Sequence, residues 1–137
     1  MDNEKKKFAV IVVNDKSGRG KRANIDKLKK TMLKTYDVRV FHITEGEGFS
    51  YVPCDVIAVF GGDGTLNSVV NMYADKETKI IYVPSGTLNE CSKNADGHFE
   101  IRSLGLADEK YFTYVLATGT FTPLGYNVDN KLKRRIK

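Results

Sequence analysis

Val59-Phe60-Gly61-Gly62-Asp63-Gly64-Thr65-Leu66-Asn67 is the stretch on which the fold of this chain turns. The apolar run that leads into it, Val56 to Phe60, has the continuous character of a parallel strand buried on both faces. Beyond it, Leu66, Val69, Val70 and Tyr73 fall at the i, i+3, i+4, i+7 spacing of one helical face. Gly61, Gly62 and Gly64 let the main chain come close to a ligand, and a helix start offers unpaired N–H groups to an anion. A carboxylate in such a loop repels phosphate unless a divalent cation or a transferable proton lies between them. Asp63 therefore reads as a magnesium-side carboxylate or as a proton acceptor. A plain strand-to-helix turn with a capping aspartate is the structural alternative.

Working outward, Phe8 to Val13 predicts another buried strand, followed by the polar loop Asn14-Asp15-Lys16-Ser17-Gly18-Arg19-Gly20-Lys21. A helix with Ile25, Leu28, Met32, Leu33 and Tyr36 on one face comes next, which makes the first half of a βαβ unit. The loop is not a Walker A sequence, because Arg22 follows Gly20-Lys21 where Ser or Thr is required. Val38 to Ile43 predicts a strand. Thr44 to Cys54 holds Gly46, Gly48 and Pro53 and predicts a short coil or single turn that covers one flank of the sheet thinly.

After a helix expected from Asn67 to about Ala74, Lys79 to Val83 predicts a further buried strand. It runs into Pro84-Ser85-Gly86-Thr87-Leu88-Asn89-Glu90, with a helix expected to begin near Leu88. Two strand-glycine-helix junctions place both loops at one edge of the sheet, where open α/β folds bind ligands. Phe99 to Leu104 and Tyr111 to Phe121 read as strands about a turn at Ala107-Asp108-Glu109-Lys110. The fold class expected is α/β: a Rossmann-like open sheet of mostly parallel strands, with glycine-rich phosphate loops at the strand ends.

A chain of 137 residues suits one domain. Its apolar content is ordinary for a globular protein, and no apolar run approaches a membrane span. Cys54 and Cys91 are isolated and read as free buried thiols, while His42 and His98 read as structural or exposed. The net charge of +5 lies entirely in Lys131, Lys133, Arg134, Arg135 and Lys137. That run reads as a solvated end. No aromatics interleave with it, which argues against nucleic-acid binding.

Gly61-Gly62-Asp63-Gly64-Thr65-Leu66-Asn67 with Val69-Val70-Asn71 resembles the signature of the diacylglycerol kinase catalytic domain family, the lipid kinases. The Gly-Gly-Asp-Gly-Thr core is shared with NAD kinases and phosphofructokinases. Asn14, Ser17 and Gly18 are similar to the family's first phosphate loop, with Asp15 in place of its proline. Pro84, Gly86, Thr87 and Asn89 are similar to its second nucleotide loop. Ser68 and Glu90 stand where the family usually has Glu and Asp, and Thr44 to Cys54 where it usually has a full helix.

The resemblance implies ATP and Mg²⁺ held by Asn14, Ser17, Gly18, Gly61, Gly62, Gly64, Thr65, Asn67, Gly86, Thr87 and Asn89, with Asp63 as metal ligand or base. It implies γ-phosphoryl transfer to a lipid hydroxyl once a second, β-rich domain is present. The domain reading is a disordered leader over residues 1–7, a nucleotide-binding domain over 8–126, and a basic tail or the start of a second domain over 127–137. Taken alone, such a chain is expected to have little or no lipid kinase activity. The alternatives are a catalytically incomplete nucleotide-binding module and a fragment of an NAD kinase-like enzyme. The expected compartment is the cytoplasm, with peripheral membrane contact. A homodimer, formed through an apolar surface around Tyr114 to Phe121, is a further expectation.

Overall fold

The computed structural model describes residues 6–17, 21–44, 48–86, 89–92 and 100–114, and for residues 21–23 the backbone alone. The elements in chain order are β1 (Lys7–Asn14), α1 (Lys21–Met32), β2 (Tyr36–Ile43), β3 (Val56–Gly61), α2 (Asp63–Tyr73) and β4 (Lys79–Pro84). A 3₁₀ turn (Glu90–Ser92) and the strands β5 (Gly105–Ala107) and β6 (Lys110–Phe112) follow. β1 to β4 form one parallel sheet in the order β2-β1-β3-β4, and β5 pairs with β6 as an antiparallel hairpin.

Alternation along the two central strands makes two cores. Ala9, Ile11, Val13, Val56, Ala58 and Phe60 pack with Ile25 and Met32 of α1. Val10, Val12, Ile57 and Val59 pack with Val69 and Tyr73 of α2 on the opposite face. Each inward side chain is shielded by a helix on its own face and by a strand on either side, so β3 is buried along its whole length. Burial of apolar area on this scale is the main favourable contribution to folding. β4 departs from the buried strand expected, because it lies at the end of the sheet order and is only half-buried.

The connections dictate where a ligand can sit. From β1 the chain moves to β2 with α1 on one face; from β3 it moves the other way to β4 with α2 on the other face. Right-handed crossovers in opposite directions require opposite faces. The C-terminal ends of β1 and β3 therefore flank a crevice where strand order reverses, the general binding position of open α/β sheets.

Several sequence expectations are corrected. α2 begins at Asp63 rather than Asn67, so Gly64 and Thr65 lie in its first turn. α1 ends at Met32; Leu33 is exposed and Tyr36 opens β2. Residues 100–104 form no strand, and among the described residues the pairing around the turn is confined to Gly105–Ala107 and Lys110–Phe112. Residues 48–54 are coil as expected, but the flank is not thinly covered: Phe49, Val52 and Cys54 pack against the α2-side core. Tyr73 locks that coil, with its hydroxyl donating to Val52 O (2.8 Å) and accepting from Val52 N–H (3.0 Å). The expected strand over residues 115–121, the tail over 127–137, the helix start at Leu88 and all but the end of the leader lie outside the described residues.

Candidate functional site

Three loops meet at the C-terminal edge of the sheet. At the end of β1, Asn14 Nδ2 donates to Thr65 Oγ1 in the first turn of α2 (2.9 Å), which joins the first loop to the second across the crevice. Asn14 Oδ1 accepts Lys16 N–H (3.1 Å), and Asn14 O accepts the Ser17 hydroxyl (2.7 Å). Ser17 is buried and shapes this turn. Gly18 lies outside the described residues.

At the end of β3, Gly62 is the N-cap of α2, in extended conformation (φ −90°, ψ −177°), and no side chain caps the helix. The first backbone bond back into the helix is Leu66 N–H to Gly62 O (3.1 Å), so the N–H groups of the first turn face the crevice end of the helix without a side-chain acceptor. A Cβ at Gly64 would meet nothing within 4 Å, so space stands open there.

At the end of β4, Ser85 N–H donates to Gly61 O (2.8 Å) and carries the sheet pairing into the loops. A Cβ at Gly86 would lie 2.5 Å from Gly62 Cα, so only glycine lets the second and third loops touch. Asn89 holds Gly86 from both sides: its Oδ1 accepts Gly86 N–H (2.9 Å) and its Nδ2 donates to Gly86 O (3.1 Å). Thr87 lies outside the described residues.

Asp63 sits where the second and third loops converge. Its Oδ2 accepts Glu90 N–H (2.6 Å) and its Oδ1 accepts the Tyr82 hydroxyl (3.1 Å). Burial first, and the Asp63 charge second, push the Tyr82 phenol well above its usual range, so it stays a donor. The Cys91 thiol, which donates to Thr113 Oγ1 (3.3 Å), is raised chiefly by burial, with the Thr113 bond opposing and the Asp63 charge adding to the rise. Two side-chain oxygens nearby, Asn67 Oδ1 and Ser85 Oγ, are buried without a hydrogen-bond partner. Such atoms are ordinarily paired in folded proteins, so each calls for an ordered water or a bound group.

Residues 8–104, more than half of the chain, match the diacylglycerol kinase catalytic domain family. The chain belongs to that family. Diacylglycerol kinases of Staphylococcus aureus strains JH9 and Newman are each 29% identical to it over 153 aligned positions, covering 93% of this chain and 49% of theirs. The chain thus spans about half the length of the curated relatives it matches. A solved structure of a candidate diacylglycerol kinase from Bacillus anthracis str. Sterne is 26% identical, with a TM-score of 0.49, over 64% of this chain and 34% of that one.

The positions that depart from the diacylglycerol kinase pattern now have physical accounts. Asp15 uses an N–H that proline lacks, donating to Ile43 O (3.3 Å), and its carboxylate pairs with His42 (2.9 Å). Ser68 is exposed and turns its hydroxyl back to Gly64 O (3.0 Å), away from Asp63. Asn71, which carried part of the family resemblance, clips α2 to the hairpin instead: its Nδ2 donates to Tyr111 O (2.8 Å) and its Oδ1 accepts Tyr111 N–H (2.8 Å). Both cysteines are free, as expected, but half-buried rather than buried. Among the described residues no helix is long and apolar enough to cross a membrane, and no group of three or more His, Cys, Asp or Glu could hold a metal.

Sequence reasoning missed Tyr82. The available signal was a lone phenol two residues before Pro84 in an otherwise aliphatic strand, and only the register of β4 on β3 brings it to Asp63.

Proposed function

We propose that this chain is the nucleotide-binding part of a lipid kinase, holding ATP with Mg²⁺ at the crevice between the Asn14, Gly61–Thr65 and Gly86–Asn89 loops. The observation that carries this is the uncapped N-terminus of α2, at the point where strand order reverses, with Asp63 in its first turn. The residues present fit such a ligand. First-turn N–H groups favour phosphate oxygens, the open space at Gly64 admits them, and Asn67 Oδ1 and Ser85 Oγ are polar atoms without partners. Mg²⁺, when bound, neutralises phosphate charge. Asp63 is the carboxylate suited to face it or to accept a proton from the acceptor hydroxyl.

Family membership supports transfer of the γ-phosphoryl group to a lipid hydroxyl in the whole protein, and favours the lipid kinase branch over the NAD kinase one. In this chain the residues position and neutralise, which is most of what phosphoryl transfer asks of a protein. Peripheral contact with a membrane, where a lipid acceptor resides, belongs to the same proposal.

The test is calorimetric titration of ATP into the wild-type chain and Asp63→Asn, each with and without Mg²⁺. Wild type should bind in a metal-dependent way, and Asp63→Asn should lose affinity on the order of tenfold or more together with its metal dependence. Equal affinity and equal metal dependence in both chains would remove Asp63 from the metal and leave it only the proton-accepting role. No binding to either would overturn the proposal.

A further inference from the structure

The Tyr82 hydroxyl lies 3.1 Å from Asp63 Oδ1 and 3.3 Å from Asn89 Oδ1. A phenol carries one proton, so at any instant it donates to only one of these acceptors, and hydrogen bonds to a carboxylate are the stronger kind. Each acceptor also has a backbone donor of its own. Glu90 N–H serves Asp63 Oδ2, and Gly86 N–H serves Asn89 Oδ1. The phenol is therefore not needed to satisfy either group. What it adds is a second point of attachment for the Asp63 carboxylate, on the oxygen that Glu90 does not hold.

That second point comes from a rigid element. Tyr82 pairs in register with Val59, and the next pairs, Phe60 with Val83 and Gly61 with Pro84, run straight to the loop that carries Asp63. A carboxylate held at one oxygen can turn about its Cβ–Cγ bond; one held at both oxygens by groups from different elements cannot. Its oxygens have about four acceptor sites between them, so the bonds from Tyr82 and Glu90, with the Cys91 thiol also interacting there, still leave acceptor capacity on a carboxylate whose plane is fixed.

We propose that Tyr82 is a positioning residue, which fixes the plane of the Asp63 carboxylate so that its remaining lone pairs are directed at a divalent cation. The proposal rests on Asp63 being the metal-side group of the function proposed above. Hydrogen-bond donors to a metal-binding carboxylate commonly govern metal affinity in this way.

The test follows binding of a fluorescent ATP analogue by polarisation, as free Mg²⁺ is varied, for wild type, Tyr82→Phe and Asp63→Asn. Phenylalanine keeps the ring and leaves both acceptors with their backbone donors. Tyr82→Phe should raise the Mg²⁺ needed for half-maximal binding about tenfold, while analogue binding in EDTA changes less than about twofold. A purely structural role for the ring would move neither quantity.

Wild-type metal dependence in Tyr82→Phe, alongside lost dependence in Asp63→Asn, overturns this proposal alone. An equal loss with and without metal also overturns it, since the phenol would then act through the Gly86–Asn89 loop. A Tyr82→Phe chain that no longer melts cooperatively does the same, by making the hydroxyl a stability group. Metal-independent binding by wild type, or a metal dependence retained in Asp63→Asn, overturns both this inference and the metal-side reading of Asp63.

Discussion

At the scale of single residues, the glycines of the site divide into two kinds that look alike in sequence. Gly86 is required by packing, since its Cβ would lie 2.5 Å from Gly62 Cα and 3.0 Å from Gly62 N. Neither atom can move without displacing the loop. We expect Gly86→Ala to cost about 1–3 kcal/mol in chemical denaturation and to weaken ATP binding with it. Gly64 differs, because a Cβ there meets nothing within 4 Å and the residue lies in the first turn of α2. Alanine is the better helix former, so Gly64→Ala should leave stability unchanged or raise it by up to about 1 kcal/mol. If phosphate approaches the helix there, ATP affinity nonetheless falls. Stability and affinity should therefore move together at Gly86 and apart at Gly64, which denaturation and calorimetry on the same two variants would show. Gly62 itself takes φ −90°, so a left-handed backbone is not what calls for glycine there.

At the scale of elements, the hairpin β5–β6 shows how a short unit is kept in place. Asp108 (φ 47°) and Glu109 (φ 62°) take the left-handed conformation at its turn, the pattern of a tight two-residue hairpin. Three-residue strands form too few pairs to be stable alone. Asn71 supplies the missing support by presenting an amide to Tyr111 as a neighbouring strand would, accepting one backbone bond and donating another. Asn71→Ala should remove both, costing about 1–2 kcal/mol for exposed neutral hydrogen bonds. Hydrogen exchange at the Tyr111 amide should accelerate while exchange in β1 and β3 stays slow. Uniform acceleration across the sheet would show instead that the hairpin folds as one unit with it.

At the scale of the whole molecule, the resolved shifts of its phenols and thiols share one sign and one leading cause. Burial raises Cys54 and Cys91 above their ordinary 9.0, Tyr73 from 10.0 to about 12, and Tyr82 further in the same direction. A group whose folded value exceeds its unfolded value keeps its proton longer in the native state. The stability it contributes is complete below the unfolded value and is lost as pH rises through the folded one. Stability should therefore hold up to about pH 9 and then decline, with the Tyr73 contribution leaving between 10 and about 12. Denaturant midpoints measured across that range check this. Tyr73→Phe should make the decline shallower and start from a lower plateau, by about 1–3 kcal/mol, because Val52 loses both partners of its N–H and C=O.

Much of this protein was legible from local pattern. Continuous apolar runs at Phe8 to Val13 and Val56 to Phe60 marked central strands, because a strand covered on both faces has no position for a polar residue. Glycines at the ends of predicted strands marked the edge where loops gather, since topology carries successive parallel strands to the same end. Where elements begin and end was less legible. α2 starts four residues before the apolar face made it visible, because its first turn is polar and two of its residues resemble loop. β5 was misplaced, Gly105–Ala107 instead of Phe99 to Leu104, because pairing there is set outward from the turn and not by alternation, whereas β6 begins within one residue of the expected Tyr111. The partners of Asp63 could not be read at all. Tyr82 is 19 positions away and Glu90 is 27, and each meets the carboxylate only because β4 lies in register on β3. Sequence by itself determined which residue types stand at the ends of which strands. Tertiary structure alone decided which of them touch, since parallel pairing brings together residues separated by a whole crossover, and no local period records that distance.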